Sequence, residues 1–176
     1  MNNNTKKINE TTISFSVYAG ATEYIGTAQA TLPEIALKTE NINGAGLPGE
    51  YEAVITGQTN ALNMSLQFRG LSRDVVALMA KNNNIIELRP VSQVRDLGGT
   101  PQLAAQKHVF SCQAKNLKPG DIAPGSPQNV TVDFAVYRWE AFENGKSVLE
   151  IDKLNFIHKI NGVDQLAEIR KMMGRV

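Results

Sequence analysis

The chain is poor in the features that mark several large functional classes. It has one cysteine, Cys112, so no internal disulfide can form. Neither sign of charge dominates: 18 Lys and Arg stand against 17 Asp and Glu, a formal net charge of +1. That balance excludes a strongly basic coat for duplex nucleic acid and a polybasic membrane-surface protein. The longest uninterrupted apolar run, Val75–Ala80, is six residues, far below the roughly 20 that a membrane-spanning helix needs. The polar, Asn-rich start of the chain has no apolar stretch behind it, so no secretory signal is expected. What the chain does have is 42% hydrophobic residues in a length of 176. A chain of that size buries roughly 70% of its unfolded surface and needs no staple.

Charge is unevenly spread. Residues 31–60 carry Glu34, Glu40, Glu50 and Glu52 against Lys38, whereas residues 152–176 are net positive. Unlike segments in a near-neutral chain suit head-to-tail self-association, although ordinary scatter produces the same asymmetry.

Residues 1–12 read as a flexible arm and residues 13–176 as a single domain dominated by strands. Met64, Leu66 and Phe68 alternate with Ser65, Gln67 and Arg69, the pattern of a half-buried strand. Val130, Val132, Phe134 and Val136 repeat it, and the apolar phase then shifts to Tyr137, Trp139 and Ala141. A period of two cannot change face without an inserted residue, so a bulge or bend is expected there. Leu149 and Ile151, followed by Leu154 and Phe156, suggest a similar shift near Asp152. Asn144-Gly145 between these runs is a strong hairpin signal. Further strands are expected over 24–31, 35–42, 51–56, 85–94 and 103–114. Pro90 places its strand at an edge or a bulge. Two helices are predicted. One covers Arg73–Lys81, capped by Ser72, with Val75, Leu78 and Met79 inward. The other covers Val163–Met173.

Isolated motifs carry little chemistry. The glycines at 44, 46 and 49 match G-x-G-x-x-G, but a strand pattern follows them instead of the helix a dinucleotide needs. His108 and Cys112 are four apart in a strand pattern, which separates them by about 13 Å, too far to share a metal. They read as a surface imidazole and a core thiol. No G-x-S-x-G occurs. No catalytic, cofactor-binding or metal-ligating residue is assigned. Tyr137-Arg138-Trp139 is followed by Glu140 and Glu143, and reads as part of a packed hairpin, not a base-stacking platform.

Two longer stretches are more informative. T-L-P at residues 31–33 is followed by E-N-x-x-G-A-G at 40–46, and E-I-D-x-x-N-x-I-x-K-x-N-G-V-D-x-L spans 150–166. In this order they resemble the major tail tube protein of contractile-tailed bacteriophages, a type also found in R-type phage-tail-like bacteriocins. The resemblance covers residues from about 20 to 92 and 128 to 173. It implies a mainly β fold of two packed antiparallel sheets, a sandwich or small barrel, with one flanking helix and a short C-terminal helix. It also implies a structural protein, not an enzyme, without cofactors. Copies of the chain would form homohexameric rings stacked into the inner tube of a contractile tail. The tube would be driven through a bacterial envelope when the sheath contracts.

Expected partners are the sheath protein, a tape-measure protein, and baseplate and terminator proteins. DNA would be only passing cargo, and stable membrane insertion is not expected. Assembly would occur in the bacterial cytoplasm, and the product would be a virion tail or an extracellular bacteriocin particle. The oligomer interface implied by the resemblance comprises Glu40, Asn41, Gly44, Ala45, Gly46, Leu47, Pro48, Gly49 and Glu50. With them go Ile160, Asn161, Gly162, Val163, Asp164 and Leu166. Two alternatives remain open at this point: a type VI secretion-like tube protein, and a monomeric β-barrel binding module.

Overall fold

Alternation of apolar and polar residues decides which side each strand buries. The computed structural model describes residues 7–20, 22–26 and 29–175. The elements, in chain order, begin with β1 (Ile8–Ala19), β2 (Glu23–Tyr24), β3 (Gln29–Thr31), β4 (Leu37–Ile42), β5 (Tyr51–Thr59) and β6 (Leu62–Phe68). Then come α1 (Arg73–Ala80), β7 (Asn84–Arg95), β8 (Pro101–Lys118) and β9 (Val130–Glu143). The chain closes with β10 (Lys146–Asp152), β11 (Ile157–Ile160), β12 (Val163–Asp164) and α2 (Ala167–Met172).

Ten strands make one sheet, in the order β12-β11-β10-β9-β8-β7-β1-β2, with β6 and β3 branching from β9. The branch arises because β9 serves two layers. Its first half pairs with β6, from Val130 opposite Phe68 to Val136 opposite Leu62. Its second half, from Arg138 onward, pairs with β10. Between them the β8 register slips, Ser111 facing Arg138 and Cys112 facing Val136, so Tyr137 is the extra residue of a bulge. Val130, Val132, Phe134 and Val136 are buried before it, and Trp139 and Ala141 after it. The phase shift read in the sequence is therefore this bulge, which bends the strand and turns the sheet over a single core. Val17, Leu66, Ile86, Phe110, Cys112 and Phe134 lie at its centre, fully buried.

The Asn-Gly hairpin forms between β9 and β10, with Asn144 at φ 47° and Gly145 at φ 80°. The Ser72 hydroxyl caps α1, accepting from the Val75 N–H at 3.3 Å. Val75 and Leu78 enter the core, whereas Met79, expected beside them, is exposed.

Several expectations are corrected. Ile8–Thr12, assigned to a flexible arm, are the first residues of β1 and pair with β7; residues 1–6 of that arm lie outside the described residues. The expected strand over 24–31 is broken into β2 and β3, with Gly26 between them at φ 59°. Pro90 lies in an interior strand, opposite Phe15 of β1, and the β7–β8 ladder skips it without changing register. No face shift occurs near Asp152, because the chain reverses there. The Asp152 carboxylate accepts from the N–H groups of Leu154 and Asn155, both at 3.0 Å, and closes the turn into β11. The second helix is shorter than expected: Val163 and Asp164 form β12 against β11, and α2 begins only at Ala167.

Candidate assembly surfaces

β4 and β5 pair only with each other among the described strands. Every residue of β4 is exposed, and so is the whole loop 43–50 that joins it to β5. The hairpin displays large apolar side chains: Leu37, Ile42, Leu47, Tyr51 and Val54 are each more than a third exposed. An isolated two-stranded hairpin is marginal in water at best. This one is held at its base. The Lys153 ammonium donates to the Thr59 carbonyl at 2.9 Å, the Thr59 hydroxyl at 2.8 Å and the Asn60 carbonyl at 2.5 Å. Burial, with the Lys38 ammonium nearby, pulls the Lys153 pKa below its ordinary value. The Gly57 carbonyl lies 3.3 Å from His158 Nδ1, and since a carbonyl only accepts, that nitrogen carries the proton. Gly57 itself sits at φ 69°, and a Cβ added there would lie 2.3 Å from Leu166 Cδ2.

The interface residues proposed from the sequence fall in two places. Glu40 and Asn41 lie on β4, opposite Ala53 and Glu52. Gly44, Ala45, Gly46, Leu47, Pro48 and Gly49 form the exposed tip, where the Leu47 N–H donates to the Gly44 carbonyl at 3.2 Å. Glu50 leads into β5 and is exposed. At the other place, Ile160 ends β11, Asn161 and Gly162 make the turn at φ 49° and 84°, and Val163 and Asp164 form β12. Leu166 is buried within its own chain against Gly57. Of the second region, Leu166 meets the hairpin at Gly57, near its base and away from the tip.

Sequence reading missed Lys153, Thr59, Gly57 and His158 as the residues that seat the hairpin. Gly57 alone carried a signal, since a glycine inside a strand marks close approach of another group.

A polar network covers the outward face of β9, β10 and β11. Arg138 bonds Glu140 and also Glu150 at 3.0 Å, and Lys159 meets the other Glu150 oxygen at 2.8 Å. The Lys159 ammonium holds the Glu150 carboxyl below its ordinary pKa, with help from Arg138 and against the opposite pull of burial. Burial alone would raise Asp164, but the Leu166 N–H, the Arg170 guanidinium and the His158 N–H outweigh it and lower its pKa. His108 is half-buried, not a surface group. Its Nδ1 accepts from the Trp139 indole at 3.3 Å, and burial lowers its pKa. The loop 43–50 leads into β5, a strand, so the glycine motif there lacks the helix a dinucleotide would need.

The family model of the phage tail tube protein FII matches residues 9–174. The tail tube protein of Escherichia phage P2 is 28% identical over 163 residues, covering 90% of this chain and 94% of the relative. The major tail tube protein of Serratia phage KSP20 is 28% identical over 149 residues, covering 84% and 85%. Among solved structures, a chain of the sheath–tube complex of an extracellular contractile injection system, PVC, superposes with a TM-score of 0.51 at 16% identity. That match covers 73% of this chain and 87% of the other. A chain from the sheath/tube terminator of the same system gives 0.52 at 13% identity, covering 74% and 94%. A family match over residues 9–174, with curated relatives covered almost end to end, thus shows that the chain belongs to the phage tail tube protein FII family.

Proposed function

We propose that the chain self-assembles into hexameric rings that stack into the inner tube of a contractile particle, a phage tail or a bacteriocin. The tube serves as a conduit driven through a bacterial envelope when the surrounding sheath contracts. Its partners are other copies of itself, the sheath protein, a tape-measure protein within the bore, and baseplate and terminator proteins at the ends. DNA is passing cargo in the phage case. The chain is assembled in the bacterial cytoplasm, and its role is mechanical, not catalytic.

The observation that carries this reading is the β4–β5 hairpin, an apolar-bearing ribbon with β4 wholly exposed, one face of β5 only half-buried and no further partner strand among the described residues. Such a ribbon is stabilised when a second subunit covers it. Its tip, Ala45–Pro48, contacts an adjacent subunit or ring, and the turn at Ile160–Asp164 provides a second contact surface. Deleting Ala45–Pro48 tests the assignment. The deleted chain should keep its thermal unfolding transition and form no rods under negative stain. Rods of normal length from that chain would overturn the role given to the tip.

A further inference from the structure

An asparagine followed by glycine is chemically labile, because the glycine has no side chain to keep its N–H away from the asparagine Cγ. The chain holds three such pairs, Asn43-Gly44, Asn144-Gly145 and Asn161-Gly162, and all six residues are exposed. Exposure does not separate them, but the backbone does. Asn144 and Gly145 form a two-residue turn at φ 47° and 80°, closed by the pairing of Glu143 with Lys146. The Asn144 N–H donates to the Ala105 carbonyl at 2.9 Å, and Asn144 Oδ1 accepts from the Ala105 N–H at 3.4 Å. Asn161 and Gly162 form the same kind of turn at φ 49° and 84°, closed by Ile160 and Val163. The Asn161 N–H donates to the Val148 carbonyl at 2.9 Å.

Asn43-Gly44 has none of these restraints. The hairpin ladder ends at Ile42 opposite Tyr51, and the loop 43–50 runs between them. Among the described residues, no hydrogen bond holds the Asn43 side chain or the Gly44 N–H. The nearest restraint is the Gly44 carbonyl, which accepts from the Leu47 N–H at 3.2 Å. A Cβ added at Gly44 would meet nothing within 4 Å, and its φ lies outside the left-handed region. The turns at 144 and 161 need glycine for their shape; position 44 does not.

From these observations we infer that Asn43 is a site of spontaneous modification in the unassembled subunit, with water as the co-reactant. The Gly44 nitrogen attacks Asn43 Cγ. A C–N bond forms, the Cγ–Nδ2 bond breaks, and the Gly44 proton leaves with the side-chain amide as ammonia. Water then opens the cyclic imide at either carbonyl, giving aspartate or isoaspartate with no change of oxidation state. Ring closure requires the Gly44 nitrogen to swing behind Cγ, which a loop allows and a two-residue turn between paired strands resists. Each conversion adds a carboxylate to a hairpin that already carries Glu40, Glu50 and Glu52 against Lys38. Isoaspartate also lengthens the main chain by one carbon beside the tip. The consequence for assembly rests on the role proposed for that tip: a modified subunit joins other copies less readily, so the conversion times how long a subunit has stayed unassembled.

Purified chain, kept dilute in mildly alkaline buffer made with oxygen-18 water, tests the modification directly. Peptide mapping by mass spectrometry follows the label at each of the three asparagines. Asn43 should convert at least ten times faster than Asn144 or Asn161 in the folded chain, and at a similar rate to them in urea. Gly44→Ala should slow conversion of Asn43 at least tenfold and keep the thermal unfolding transition. Equal rates at the three sites in the folded chain, or the same preference in urea, would overturn the assignment. Aged chain is then resolved by anion exchange. The fraction carrying the Asn43 product should need at least ten times more protein to form rods under negative stain. Rods from that fraction at the ordinary concentration, where deletion of Ala45–Pro48 abolishes them, would overturn the effect on assembly and leave the role of the tip intact. Rods from both would overturn the role of the tip as well.

Discussion

At the hairpin base the three hydrogen bonds of Lys153 all go to neutral oxygens of Thr59 and Asn60. Hydrogen bonds from a charged donor contribute about 1.5–3 kcal/mol each before the cost of burial is deducted. Lys153→Met should therefore lower stability by about 1–3 kcal/mol. Hydrogen exchange should quicken at Thr59 and Asn60 while the β8–β9 ladder stays protected, and unchanged exchange at the base would contradict this role. Gly57 makes a different demand. A left-handed φ and a side chain at 2.3 Å both resist a Cβ. Gly57→Ala should cost about 2 kcal/mol or more through strain and overpacking. Pairing it with Leu166→Ala should recover only the packing part, read from urea midpoints. Cys112 is inert for a third reason: burial pushes its thiol up to about 12. A disulfide exchange reagent should react with it only as fast as the protein unfolds.

Among the elements, the β10–β11–β12 unit shows what its long motif is for. Asp152 closes the turn into β11, Asn161-Gly162 makes the turn into β12, and Asp164 binds the backbone of His158 and Leu166 together with Arg170. Much of E-I-D-x-x-N-x-I-x-K-x-N-G-V-D-x-L thus encodes two turns and a capped edge. A resemblance identifies such residues without saying whether they face inward or toward a partner. The same unit sets the response to acid. Glu150 and Asp164 have folded pKa values below their ordinary 4.5 and 3.8. As pH falls, the unfolded chain binds protons first, so the stabilisation is complete above those ordinary values and is lost through the lower folded ones. Melting temperature should therefore drop steeply below about pH 4. Glu150→Gln should lower it at neutral pH and flatten the acid limb, and parallel acid limbs for the two proteins would contradict the assignment.

For the molecule as a whole, strand positions were legible wherever one face is buried, as in β6 and β9, and so was the bulge at Tyr137. Signals failed where tertiary context overrode local pattern. Pro90 suggested an edge or a bulge, yet a skipped rung accommodates it inside the sheet, and the apolar spacing of Val163–Met173 looked helical although its first residues pair as β12. The hairpin was legible as a loop motif, but its lack of a further partner among the described strands was not, because exposure of a ribbon depends on where the rest of the chain goes. The account as a whole holds that this subunit keeps a ribbon open for other copies of itself. Sedimentation velocity of the purified chain across a hundredfold concentration range, with negative-stain images of the same samples, tests that most directly. Concentration-dependent growth into rings or rods of uniform bore is the predicted result. A single monomeric species throughout, with no rings or rods in the images, would contradict it.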